Sequence, residues 1–155
     1  RTLIIIERFG RVYVSSFRDP NTAPSIPEQV AYVDAHPEVR EGVLLATRIH
    51  NAGFIGGTGL WATAMTLLFR TDPQAAAIFV EHLVEGDNLP RGSAILRLRN
   101  TFMSQYTAWD NSARGRELLV ALVIKAWNFW RRQETIQNLV WRSDGRGAEA
   151  FPVPE

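Results

Sequence analysis

His50–Met65 reads HNAGFIGGTGLWATAM, four glycines and a Gly-Thr-Gly step running directly into an apolar stretch. As a phosphate-cradling loop between a strand and a helix, it would define an α/β nucleotide fold. As a connection between two helices, it would define an all-α one. Gly53 and Gly56 match the second half of a G-x-x-G-x-x-G pattern, but the first glycine falls on His50, where a tight turn beneath a pyrophosphate is required. Upstream, Glu41, Arg48 and helical spacing occupy the place of a buried parallel strand. A Walker-type loop fails as well, since Leu60 and Trp61 stand where Lys and Ser or Thr would face phosphate and Mg²⁺. The stretch is therefore read as punctuation: Gly53 stops one helix, Gly56 and Gly57 reverse the chain, and Thr58 caps the helix that buries Trp61 and Leu67.

Working outward, the same signals recur. Ser25 with Glu28 forms a capping box, and Pro27 sits in the first turn of a helix over 26–35. Pro37 opens another, with Val39, Val43, Leu44 and Ala46 on one stripe, ended by Asn51 and Gly53. A helix over Gly59–Arg70 follows. Asp72 and Pro73 supply N-cap and first position for a helix through Val84, and Gly86 ends it. Ser93 caps RGSAILRLRNTFMSQY, and Ser112 begins the longest helix, through ELLVALVIKAWNFWRR. The opening RTLIIIERFGRVYVSSF would suit a hairpin by β-propensity, yet Ile4, Ile5, Arg8 and Phe9 fit helical spacing, and it is read as helix. The tail LVWRSDGRGAEAFPVPE, with turn residues and two prolines, is expected to lie extended over the domain. Short loops between such helices predict an all-α fold, a compact multi-helix orthogonal bundle with an extended C-terminal tail.

At 155 residues and 46% hydrophobic, the chain is sized for one domain over 1–155. Absence of cysteine excludes disulfides, thiolate metal sites and a Cys nucleophile. The longest apolar runs, Leu118–Ile124 and Ala75–Val80, fall far short of the roughly 18–20 residues that span a bilayer, so no membrane partner and a cytoplasmic location are expected. Arg at position 1 suggests a fragment of a longer chain.

Catalytic chemistry finds no motif. His36, His50 and His82 lack metal-ligand spacing, and Glu81, His82 and Glu85 lack the second His a zinc site wants one turn away. A solvated acidic face explains them. No nucleophile elbow is present. Trp127 and Trp130, three apart, share a helical face that is expected to be core. Neither cofactor nor metal nor enzymatic activity is expected.

Charge is the more informative feature. Among seventeen basic residues only Lys125 is not Arg, and residues 88–146 carry ten of them against four acids. Arg91, Arg97 and Arg99 as one group, with Lys125, Arg131 and Arg132 as a second, are the candidate nucleic-acid-binding residues. They would contact phosphate independently of sequence, because no helix-turn-helix or finger aims side chains at base edges. The alternative is a protein-interaction or self-association module, for which Trp109, Trp130, Trp141 and Phe151 are the candidate anchors.

The runs EGDNLPRGSAILRLRNTF, LLVALVIKAWNFWRRQETIQNLVWR and FPVP resemble the C-terminal helical region of a group of phage and actinobacterial proteins whose N-terminal part is ParB-like. PEQVAYVDAHPEVREGV and TDPQAAAIFVEHLVEGDNL are similar to the group's preceding helices. The resemblance implies the accessory helical half of a DNA-associated protein. The acidic-Gly-Gln-His-Arg stretch of the ParB-like module is not in this sequence, so that module's chemistry maps to no residue of the chain.

Overall fold

The structure, a computed structural model, describes residues 26–103 and 112–155. The expected opening helix, the Ser25 cap and Trp109 lie outside them. Six helices follow in order: α1 (Ile26–Ala35), α2 (Glu38–Asn51), α3 (Thr58–Thr71), α4 (Pro73–Glu85), α5 (Ala94–Met103) and α6 (Ala113–Arg131). Among the described residues no strand forms. The nearest approach is an isolated antiparallel bridge between Ser93 and Thr135. The chain is an all-α bundle, as its sequence predicts, and no described helix is long and apolar enough to cross a membrane.

The bundle is built around α3. Every residue from Leu60 to Leu68 is buried, as expected of a helix apolar on all faces. Its two buried threonines are tolerated because each hydroxyl donates back one turn, Thr63 to the Gly59 carbonyl at 2.9 Å and Thr66 to the Ala62 carbonyl at 2.7 Å. The second hydrophobic axis is α6, buried from Leu119 to Ile124 and again at Ala126 and Trp127. Trp127 is 0% exposed, in line with the core reading of its stripe.

The glycine-rich turn connects α2 to α3, and its polar groups are committed to the fold. Gly53 (φ +94°) takes the chain out of α2. The Ile55 amide donates to the Phe102 carbonyl at 2.7 Å, and the Ile55 carbonyl accepts the Trp61 indole N–H at 2.9 Å. At Gly56 (φ +104°) the backbone conformation calls for glycine, and a Cβ there would lie 2.6 Å from Leu119 Cδ1 and displace that methyl group. One detail differs from expectation. The N-cap of α3 is Gly57, in extended conformation and without a side-chain cap bond, and Thr58 is already the first helical residue.

Other boundaries follow the sequence. Asp72 accepts from the Ala75 amide at 3.0 Å with Pro73 at the start of α4, and Gly86 closes that helix in the left-handed region at φ +70°. Ser112 accepts from the Gly115 amide at 3.1 Å and starts α6.

The chain beyond α6 lies against that helix. Asn128 holds it from both sides, Nδ2 donating to the Val153 carbonyl at 2.8 Å and Oδ1 accepting the Glu155 amide at 2.9 Å. The Trp127 indole donates to the Glu155 carbonyl at 2.8 Å. Trp141, buried, donates to the Ala150 carbonyl and meets Phe151 edge-on with ring centroids 5.5 Å apart.

Candidate functional site

A cleft of about 500 Å³ opens where the end of α4, the 86–93 connection and the end of α6 meet, within the size range of ligand pockets. One wall is Trp130, half-buried, its ring 5.6 Å from Phe79 and 5.5 Å from Trp127. His82, exposed in the last turn of α4, meets the same indole at 6.5 Å. Leu89, Pro90 and Ala94 add apolar surface. The two chain segments are stitched behind it by the Ser93–Thr135 bridge and by the Ile136 amide donating to the Gly92 carbonyl at 2.9 Å.

The local chain geometry is unusual at two points, and both face the cleft. Asn88 (φ +56°) and Gln133 (φ +57°) are the non-glycine residues with left-handed backbone among those described, and both line it. Gln133 occupies the position after the α6 C-cap. Its amide bonds the Trp130 carbonyl at 3.0 Å, and the Glu134 amide bonds the Phe129 carbonyl at 2.9 Å, the pattern of a Schellman motif that ordinarily uses glycine at this point. Glutamine there costs on the order of 1–2 kcal/mol relative to an unstrained residue. What it supplies is a carboxamide on the cleft rim.

The charges around the cleft cancel. Arg131 pairs with Asp72 at 3.0 Å and lies over the Trp127 ring at 5.3 Å. Glu134 pairs with Arg132 at 3.1 Å. Asp72 is held below the usual carboxylate range chiefly by the hydrogen bond from the Ala75 amide, which outweighs desolvation, with the Arg131 charge and hydrogen bond adding smaller lowering contributions. Among the described residues no group of three His, Asp or Glu is placed to hold a metal ion.

The six basic candidates separate. Arg99 turns inward to close α4, Nη1 donating to the Leu83 and Val84 carbonyls at 2.6 and 2.8 Å, the placement a helix C-terminus favours for a cation. Lys125, its side chain 17% exposed, donates to the Val140 carbonyl and to the Glu149 carboxylate, each at 2.8 Å. Arg132 binds Glu134 and Glu155 and lies over Phe129 at 5.0 Å. With Arg131 on Asp72, four of the six thus serve the fold. Arg91 is exposed in the turn before α5. Arg97 is half-buried and borders a separate, smaller pocket against residues 137–140. Of the candidate anchors, Trp141 and Phe151 pack on each other, and Trp130 is the one that reaches the cleft.

Sequence reasoning missed the cleft because its lining comes from three segments with no shared motif. The one local signal was Gln133 just beyond a helix end, where a glycine is usual. Comparison of the chain with known protein families, with curated proteins and with solved structures found no match.

Proposed function

We propose that this domain is a non-catalytic helical interaction module whose cleft receives a short, neutral, apolar segment of a partner protein. The observation that carries the reading is the pair of left-handed residues, Asn88 and Gln133, both lining one cleft. Backbone strain of this kind concentrates at functional sites. Two carboxamides on the rim suit the main-chain N–H and C=O groups of a bound peptide. Trp130, Leu89 and Pro90 offer an apolar seat for its side chain, with the aromatic anchor typical of binding hot spots. Because Arg131 and Glu134 are already paired, the cleft presents no net charge to select an ionic ligand.

The nucleic-acid reading, as the accessory half of a ParB-like protein, rests on the basic half of the chain. Pairing of Arg99, Lys125, Arg131 and Arg132 within the fold weighs against it and leaves Arg91 and Arg97 as its support.

A library of blocked hexapeptides, screened by amide NMR against the wild type and Thr135→Trp, tests the proposal. Thr135 is exposed on the cleft lining, so the substitution fills the cleft from its rim. Leucine- or aromatic-containing neutral peptides are expected to shift residues 88–94 and 130–136 saturably in wild type and not in the variant. Equal binding by both proteins, or selection of acidic peptides alone, overturns it.

A further inference from the structure

Arg97 carries a site that the cleft reading does not use. Its Nε is the buried side-chain nitrogen or oxygen among the described residues that has no hydrogen-bond partner. Leaving a buried donor unpaired costs about 1–3 kcal/mol, more when the group is charged. No carboxylate pairs with this guanidinium among the described residues, although Arg114, Lys125, Arg131 and Arg132 each have one. Arg97 also borders a pocket of about 270 Å³, whose other lining residues are Asn100 and Thr101 of α5 and Gln137, Asn138, Leu139 and Val140.

We infer that this pocket is a binding site for a tetrahedral oxyanion, phosphate in the first instance, with Arg97 supplying the charge and Asn100, Gln137 and Asn138 the neutral donors. The lining contains a permanently charged guanidinium and three carboxamides but no acidic side chain, so nothing in the pocket competes with an incoming anion. Guanidinium groups bind carboxylates and phosphates through paired N–H donors. The donor-bearing side chains come from two chain segments, and a tetrahedral phosphate turns its oxygens in several directions at once, whereas the two oxygens of a carboxylate lie in one plane. On binding, the guanidinium turns so that the buried Nε–H gains an acceptor and its desolvation is offset. The fold positions the two halves of the site separately. Arg97 and Asn100 stand one turn apart on α5, and Gln137 and Asn138 are held by the following residues, since the Val140 carbonyl is fixed by Lys125 at 2.8 Å.

The test is an NMR titration of the whole chain, reading the Arg97 Nε–Hε resonance and the side-chain amides of Asn100, Gln137 and Asn138. Inorganic phosphate is compared with acetate and chloride at matched ionic strength and with a short single-stranded oligonucleotide. Phosphate is expected to move all four signals along one saturable curve, at least tenfold more tightly than acetate. Asn138→Asp, at an exposed position, places a carboxylate beside the guanidinium and is expected to abolish the response without altering the amide spectrum elsewhere; Arg97→Gln is expected to do the same. Tighter binding of the oligonucleotide than of inorganic phosphate assigns the site to a phosphodiester, and the reverse to a free phosphate or monoester; both sustain the inference. Shifts that chloride reproduces, that fail to saturate, or that persist in Asn138→Asp overturn it. The cleft variant Thr135→Trp is expected to bind phosphate as wild type does, which separates this site from the peptide cleft.

Discussion

At Gly42 a single hydrogen atom sets how closely α2 and α3 approach. A Cβ there would collide with the Thr66 hydroxyl and lie 2.8 Å from the Thr66 amide nitrogen and 3.0 Å from the Ala62 carbonyl oxygen. Gly42→Ala would ordinarily favour a helix interior by about 1 kcal/mol. Overpacking of this kind typically costs about 1–3 kcal/mol, and two of the three obstructing atoms are backbone that cannot rotate away. The clash is expected to win, with a lower urea midpoint for Gly42→Ala. Adding Thr66→Ala removes the hydroxyl and leaves both backbone contacts, so the double variant should recover only part of the loss. A Gly42→Ala protein as stable as wild type would mean that the two helices can move apart freely. Gln133 is the opposite case, a residue where glycine would relieve strain and the side chain is kept. Such exceptions are hard to read in a sequence, because glycine at 53, 56 and 86 announces its left-handed conformation whereas glutamine at 133 does not.

Helix termini were the most legible elements, since a cap is a local event written in two or three adjacent residues. Asp72, Gly86 and Ser112 all act where their residue types indicate. Thr58 does not, because Gly57 already adopts the extended N-cap conformation and moves the helix start one residue earlier. Asp72 also does something its neighbours could not announce. Besides capping α4 it holds Arg131, at the far end of the chain's longest described helix, so one carboxylate ties α4 to α6. Its lowered pKa gives the sign of a pH effect. A carboxylate whose pKa is lower folded than unfolded adds stability above its unfolded value, near 3.8, and loses it as pH falls through the folded one. Asp72→Asn keeps a capping oxygen but neither titrates nor attracts Arg131. Wild type should therefore be more stable than Asp72→Asn at pH 7, with the difference shrinking as pH drops below the ordinary aspartate range. Chemical denaturation of both proteins from pH 7 to pH 2.5 checks this. A difference that stays constant across that range would show that the Asp72 carboxylate is not coupled to folding.

Over the whole molecule, folding redistributes a charge asymmetry that the sequence displays openly. Counting along the chain shows a basic second half but cannot show that its partners arrive from elsewhere: Asp72 for Arg131, Glu149 for Lys125, Glu155 for Arg132. The all-α architecture was legible because apolar spacing and caps act within a few residues. The basic surface was not, because ion pairing links positions separated by more than twenty. Masking of this kind has a measurable consequence for any non-specific affinity for DNA. Each phosphate neutralised contributes about −0.9 to the slope of log K against log salt. Were all six candidate cations engaged they would contribute a slope of about −5, whereas Arg91 and Arg97 alone would contribute about −2. Glu134→Gln, Glu149→Gln and Glu155→Gln together release Lys125 and Arg132 from their carboxylates while leaving every candidate cation in place. In fluorescence anisotropy on a duplex of arbitrary sequence, wild type is expected to bind weakly. The triple variant is expected to bind more tightly at low salt, with a slope steeper by about 2 because two more cations reach phosphate. A slope unchanged by unmasking would show that Lys125 and Arg132 do not face a nucleic acid even when free, and would leave their work wholly structural, holding residues 140–155 against α6.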